Sequence, residues 1–282
     1  MNSRNVLQPE IDWLAGMSTI ISAYEEIAAS RMQKIRNKVL NNRTFLNGLN
    51  EVYNQVKLSY LAKGHHKDEL VMKKNGKTLA VMMSANTGLY GDIVQKTLDL
   101  FVGDLEKNKT DVAIVGRLGK ALFEQRTGGK FPFTYFDLPD SAVSYDEFRK
   151  IVDFIVNYQR SVIYHGVFRS IITQEAIATN ISGNEIIKEA AAGDSHPWLF
   201  EPSLEEILIF FETEIFSSLF VHTIHESQLA KYAARMVTLD QADDNIKKSI
   251  TKLRLESQRF KHRQNNRKML GTLSGLPLVQ LR

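Results

Sequence analysis

At 282 residues the chain is long enough for about two domains of ordinary size, and with 43% of its residues apolar it can fill a real core. Its 36 basic and 32 acidic residues leave a net charge of +4, too mild for a dedicated nucleic-acid binder, so any basic function has to be local. The absence of cysteine excludes disulfides, thiolate metal sites, a cysteine nucleophile and thiol redox control, and it suits a reducing compartment.

The opening stretch, MNSRNVLQPEIDW, has no basic segment followed by an apolar one and does not read as a secretory signal. From Pro9, whose fixed φ suits the first turn of a helix, to Lys63 no second proline occurs, and Gly64 is a natural left-handed stop. This span predicts one helix of roughly 50 residues, about 80 Å long. Its apolar positions step by four and three through Ala28, Met32, Ile35, Val39, polar Asn42, Leu46, Leu49, Tyr53 and Val56, and Trp13, Met17, Ile20, Tyr24 and Ile27 are read as its early part. A sustained heptad repeat calls for a left-handed supercoil with a partner helix. Gly16 and Gly48, each costing on the order of 1 kcal/mol against Ala, read as close contacts or bends.

The middle of the chain has a different texture. TLAVMMS (78–84), DVAIVG (111–116) and FPFTYFD are expected strands, alternating with helical patterns that end near Glu106, cover RLGKALFEQR and cover SYDEFRKIVDFIVNYQ. Buried strands alternating with helices mean a parallel sheet covered on both faces. SVIYHG and SIITQEAIATNI, separated by VFR, read as an antiparallel pair at the sheet edge.

At the other end, Ser203 and Glu206 form a capping box, and from there to Leu270 neither Gly nor Pro occurs. Leu229, Tyr232, Met236, Leu239, Asp243, Ile246, Ile250, Leu253, Ser257, Phe260 and Gln264 again follow the heptad spacing. The most apolar window, 207–221, is interrupted by Glu212 and Glu214 and falls short of the ~20 uninterrupted apolar residues of a membrane span. Each stripe could face an ordinary core. Two such long helices at opposite ends of one chain instead predict that they bury their stripes on each other. The expected fold is α/β plus a long antiparallel two-helix coiled coil: a helical segment 1–66, an inserted doubly wound, Rossmann-like domain over 77–200, and a helical segment 203–282 returning to the first.

A doubly wound sheet raises a nucleotide hypothesis, and the motifs argue against it. SANTGLYG follows the first strand but is not G-x-G-x-x-G and has no lysine; NGKT (75–78) precedes its strand and has Val71 where the leading glycine of a P-loop belongs. Gly88 and Gly91 read as a tight turn. His222 and His225 with Glu226 share a helix face but lack a third ligand at fitting spacing, and DQADD lacks the glycine and alternation of a calcium loop, reading as a solvated helix face. No catalytic, cofactor or metal site is expected. From Lys247 to Lys268 nine basic residues face Glu256 alone, a local field that recruits an acidic partner surface. A basic zipper reading DNA would place its basic region before the heptads, so nucleic acid is not the expected partner.

AARMVTLDQADDN (233–245), WLFEPSLEEIL (198–208), AASRM (28–32) and GLYG (88–91) resemble, in order, motifs of the gamma subunit of F-type ATP synthases, the central rotor shaft. The matching positions of the longest motif are Ala234, Arg235, Met236, Val237, Leu239, Asp240, Ala242 and Asn245. The resemblance implies a non-catalytic subunit with no cofactor. Its partners would be the alpha and beta subunits of a catalytic head, and the epsilon subunit and membrane c-ring at the α/β-domain end. Its location would be peripheral, on the cytoplasmic face of the cell membrane. The implied function is torque transmission between the ion-driven ring and the head. It also implies that Arg263 and Gln264 take the place of an Arg-Gln pair that bonds beta-subunit loops. The basic run contributes Arg259, Lys261, Arg263, Arg267 and Lys268 as further partner-binding residues. Two departures stand out: the family's Thr and Glu after that pair are replaced within NNRKML, and residues 10–26 carry Glu10, Asp12, Glu25 and Glu26 where the family is basic. The alternative reading is an α/β small-molecule enzyme or a coiled-coil scaffold unrelated to rotation.

Overall fold

A computed structural model describes residues 4–62, 75–140, 145–181, 201 and 203–274. In chain order the elements are α1 (Arg4–Ala62), β1 (Thr78–Met83), α2 (Ile93–Leu105), β2 (Asp111–Val115), α3 (Arg117–Thr127), β3 (Thr134–Phe136), α4 (Tyr145–Val156), β4 (Arg160–Phe168), β5 (Gln174–Asn180) and α5 (Leu204–Ser274). They fall into two compact units, a larger one of Ala28–Val237 and a smaller one of Met1–Ile27 with Thr238–Arg282.

The larger unit is built on a five-stranded sheet of order β3-β2-β1-β4-β5, parallel except for β5, which pairs antiparallel with β4. The alternation of side chains along β1 explains its two-sided core. Leu79, Val81 and Met83 point to one face, where Ile151 and Ile155 of α4 and Phe220 and Ile224 of α5 cover them. Ala80 and Met82 point to the other, against Leu98 and Phe101 of α2 and Phe123 of α3. The doubly wound, Rossmann-like arrangement and the antiparallel edge pair are as the sequence predicts.

Within this unit the long helices pair antiparallel. Arg31 donates to the Tyr232 hydroxyl at 3.0 Å and Asn42 to the Ser218 carbonyl at 3.1 Å, while Tyr53 packs on Phe211 at 6.4 Å between ring centroids. Tyr53 and Val56 close against Leu204, Leu208 and Ile215. Because α5 has α1 on one side and the sheet on the other, it is apolar around much of its girth here. By length and composition this stretch could also cross a membrane, yet Leu208, Ile215, Phe220 and Ile224 are all buried in these protein cores. The cap is formed, with the Glu206 N–H donating to Ser203 Oγ at 3.2 Å.

In the smaller unit, Ser18 Oγ donates to Asp243 at 2.5 Å, and Ile11 and Ile250, one heptad away in opposite directions, are buried. Four sequence expectations change. The early apolar line of α1 is not the buried one: Trp13, Ile20, Tyr24 and Ile27 are exposed, and the partner-facing line runs through Ile11, Leu14, Ser18, Ile21 and Glu25. That line holds the phase of Ala28, Met32 and Ile35, and the polar Ser18 is tolerated on it because Asp243 satisfies its hydroxyl. Asp243 accordingly does not belong to a solvated face, unlike exposed Asp240 and Asp244. Gly16 and Gly48 do not mark close contacts, since a Cβ at either would meet nothing within 4 Å. Pro9 is not in the first turn of its helix: α1 starts at Arg4 with Pro9 inside it. The stop expected at Gly64 lies outside the described residues.

Candidate functional site

In an open doubly wound sheet, ligands bind in the crevice beyond the carboxyl ends of the strands where strand order reverses, here between β1 and β4. That crevice is filled by α5. Ala230 lies so close to Gly166 of β4 that a Cβ on the glycine would stand 3.3 Å from it, and next to it the Lys231 ammonium donates to the Ser84 carbonyl, just past β1, at 2.8 Å. Helix N-termini that could cradle a phosphate need free N–H groups. At α3 they are taken: Arg117 donates to Asn86 Oδ1 and Leu118 to the Ala85 carbonyl, both at 2.8 Å. Gly116, at φ +102°, and Gly119 permit this approach, because a Cβ would come within 2.8 Å of Ala85 O at the first and 2.3 Å of Ser84 Cβ at the second.

Asp140 organises the joint. Its Oδ2 accepts from the Asn86 and Thr87 amides and the Thr87 hydroxyl, each at 3.0 Å, and its Oδ1 faces Lys231 Nζ at 3.4 Å. Its carbonyl accepts from Tyr232 and Gln228, both at 3.2 Å. Burial pulls the Lys231 ammonium below its ordinary pKa, with Asp140 opposing that fall. Arg235 donates to the Gly88 carbonyl at 2.7 Å and to Thr87 Oγ1 at 3.1 Å, and its guanidinium stacks 4.0 Å from the Tyr90 ring centroid. Burial raises the Tyr90 hydroxyl to about 12. The left-handed residues of the GLYG turn are Leu89 at φ 65° and Gly91 at 57°, so the turn expected at Gly88 and Gly91 places its first positive φ on leucine. Ala28 and Met32 of AASRM, Tyr90 of GLYG, and Ala234 and Met236 of AARM pack in one cluster. Asp140, Lys231 and Arg235 all bond to the chain itself, with Ser84 Oγ and Arg235 Nε buried beside them without a hydrogen-bond partner among the described residues, so this place is a joint between helix and sheet.

Sequence reasoning names Arg235 only as a motif position and Tyr232 only as a heptad position, and it assigns neither of them, nor Asp140 or Lys231, to a polar joint. Lys231 carries a readable signal, a lone cation between Leu229, Ala230, Tyr232, Ala233 and Ala234; Asp140, in DLPDS, carries none.

The sequence-predicted partner residues lie in the smaller unit. Arg259, Lys261, Arg263, Arg267 and Lys268 are exposed on α5, while Gln264 is half-buried and continues the inner line of Ile250, Leu253, Ser257 and Phe260. Counting from the Ser18–Asp243 contact, α1 at Arg4 is level with about residue 257, so the run from Arg259 onward lies past the start of α1.

His222 faces Glu226 at 3.4 Å and His225 faces Gln228 at 3.3 Å, consistent with packed helix residues. Among the described residues no group of three His, Asp or Glu side chains is gathered to hold a metal ion. A histidine that the sequence does not single out, His165 on β4, is buried with Nδ1 3.1 Å from the Gly166 carbonyl and Nε2 2.9 Å from Thr179 Oγ1. The carbonyl can only accept, so Nδ1 carries the proton and Nε2 accepts from threonine. Burial lowers its pKa.

A family model described as ATP synthase matches residues 5–266. The ATP synthase gamma chain of Bdellovibrio bacteriovorus is 23% identical over 293 residues, covering 98% of each chain. That of Desulforamulus reducens is 24% identical over 272 residues, covering 92% of this chain and 93% of its own. Among solved structures, a chain of the Euglena gracilis mitochondrial ATP synthase, described as OSCP/F1/c-ring, matches with a TM-score of 0.64 at 16% identity over 99% of both chains. A chain of the Tetrahymena thermophila mitochondrial central stalk and c-ring matches with a TM-score of 0.56 at 17% identity, over 79% of this chain and 99% of that one. At such identities the structural likeness shows the shared fold.

Proposed function

Because this chain belongs to the ATP synthase family, as a gamma, rotor-type subunit, we propose that it holds no catalytic residue and couples ATP chemistry carried out by alpha and beta partner subunits to rotation of a membrane c-ring. The observation that carries the non-catalytic part is the filled crevice: Lys231 and Tyr232 occupy the place where a doubly wound enzyme would bind its ligand. The c-ring partner is supported by the assemblies in which the structurally similar Euglena and Tetrahymena chains sit. The head contacts run through Arg259, Lys261, Arg263, Gln264, Arg267 and Lys268, whose density of positive charge fits an acidic wall. The epsilon subunit and the c-ring meet the 77–200 segment, between helical segments 1–66 and 203–282, on the cytoplasmic face of the membrane.

The test is an ATP hydrolysis assay on the alpha and beta subunits of the same enzyme, with and without this chain, and on the chain alone. The chain alone should hydrolyse nothing and should change the turnover of the mixture; hydrolysis by the isolated chain would overturn the reading.

A further inference from the structure

The sheet has a second open end, away from the joint. At the amino ends of β1 and β2 three separate stretches wall a cavity of about 930 Å³: residues 76–78 at the start of β1, residues 105–111 between α2 and β2, and Lys130 with Phe131 after α3. The first stretch is the GKT of the NGKT motif, which precedes its strand and so is no P-loop. A hollow of this volume is of small-molecule size and unlike a flat docking surface. Its apolar lining is buried Leu105 and half-buried Phe131, whose ring packs on Phe123 at 6.4 Å between centroids.

The charges of the lining decide what it can hold. Lys77, Lys107, Lys109 and Lys130 stand against Glu106 and Asp111. Lys77 Nζ lies 3.3 Å from Asp111, so these two cancel. Lys107, Lys109 and Lys130 are exposed and form no ion pair among the described residues, which leaves Glu106 alone to oppose three ammonium charges. Cations are favoured at helix C-termini, and α2 and α3 both end here. The main chain already closes those ends, however: the Glu106 and Asn108 N–H groups donate to the Val102 and Asp104 carbonyls at 3.1 Å, and Gly128 donates to Glu124 at 2.9 Å. The lysines therefore hold positive charge in excess of what the helix ends use, concentrated in a concave place.

We propose that this hollow binds the polyphosphate group of a small soluble molecule, with Lys107, Lys109 and Lys130 as its ligands. A lysine ammonium is a compact point charge with rotatable donors, suited to phosphate oxygens, and three of them around one hollow match a chain of adjacent phosphates better than a single one. A ring carried by the phosphates would have Phe131 to lie against. One wall is held in place before any ligand arrives: Asp111 accepts from the Tyr158 hydroxyl at 3.1 Å as well as from Lys77, whose own N–H donates to Asn75 Oδ1 at 2.9 Å and whose carbonyl accepts from Gln159 at 3.1 Å. Such preorganisation lowers the cost of binding. The proposal does not depend on the rotor reading, and the filled crevice at the carboxyl ends of the strands is untouched by it.

Titration calorimetry of the full chain at low salt is the test, with tripolyphosphate, pyrophosphate, ATP and inorganic phosphate as probes. Tripolyphosphate should fill a single saturable site, and inorganic phosphate should bind far more weakly. The triple variant Lys107→Gln, Lys109→Gln, Lys130→Gln should weaken tripolyphosphate binding by at least about tenfold while its melting curve without ligand stays that of the parent. Glu106→Gln, which removes the opposing charge, should tighten binding. Lys34→Gln, Lys150→Gln and Lys248→Gln together remove the same charge from exposed positions elsewhere and should change nothing. Absence of binding by every polyphosphate probe, or equal losses in the two triple variants, overturns the site. Inorganic phosphate binding as tightly as tripolyphosphate overturns the choice of a polyphosphate. Capture of phosphatidylglycerol vesicles through the same three lysines, without binding of the soluble probes, would make a lipid headgroup the source and overturn the soluble ligand. None of these outcomes bears on assembly with alpha and beta subunits, so the rotor reading stands or falls by its own test.

Discussion

Lys231 and Asp140 form an ion pair whose side chains are each only 9% exposed, and the two ends of the pair are unequal. Asp140 keeps three other donors if Lys231 is lost, whereas Lys231 without Asp140 keeps its charge buried with only the Ser84 carbonyl and the face of the Tyr90 ring, 5.8 Å to its centroid, beside it. Breaking a buried pair from the side that strands a charge costs about 3–5 kcal/mol, while replacing the charge by an apolar side chain of similar volume is often close to neutral. Asp140→Ala should therefore destabilise the chain by about 3–5 kcal/mol and Lys231→Met by less than about 2. Urea unfolding of both variants checks this, and equal losses would contradict the asymmetry. A second residue-scale prediction follows from the open space around Gly16 and Gly48. Replacing either by Ala should stabilise the protein by about 0.5–1 kcal/mol; a loss at either site would mean that its flexibility or bare backbone is used by a partner.

At the scale of elements, the helix and strand periods were legible because burial enforces them. Each strand of the sheet core is apolar on both faces, and α5 keeps its heptad line from Leu229 to Phe260. What misled was α1 before Ala28, where two heptad lines run side by side and the larger side chains lie on the wrong one. Size alone favoured Trp13 and Tyr24; the structure buries Ser18 and Ile21 further because helix phase and the Asp243 carboxylate outweigh side-chain bulk. The joint was only half legible, since Asp140 reaches Asn86 and Lys231 across sequence separations that no local pattern encodes. The contact between β4 and α5 yields a pH prediction. His165 of β4 and His225 of α5 are both depressed below 6.5 by burial, with His222 and Glu226 of α5 facing His165 and with Gln228, Lys38 and His222 around His225. The unfolded chain takes up protons at these sites before the folded chain does. Stability is therefore complete above about pH 6.5 and is lost as pH falls below it, by up to about 1.4 kcal/mol per pH unit for each histidine. Melting curves at pH 7.5 and 5.5 should show the loss, and His165→Gln should reduce it. A variant with the same pH slope as the parent would remove His165 from the account.

For the molecule as a whole, the question is which charges make rotation and catalysis depend on each other. The basic run of α5 is nearly free of acids along its own length: nine cations lie between Lys247 and Lys268 against Glu256. Arg259, Lys261 and Arg263 are all exposed. Substitutions on exposed faces away from caps and packed contacts usually shift stability by less than about 0.5 kcal/mol, so reversing all three to Glu should leave the melting of the free chain nearly unchanged. On the proposed reading its effect should appear only in the complex, where reversed side chains would repel an acidic wall instead of attracting it. ATP hydrolysis should then continue while ion translocation per ATP falls, and the defect should be greater at low salt, where charges act over longer distances. Gln264→Ala separates field from contact: it leaves the charge intact, so any loss of coupling it causes should be insensitive to salt. Unchanged coupling in the triple reversal would mean that the basic run serves solubility and that torque passes through other contacts.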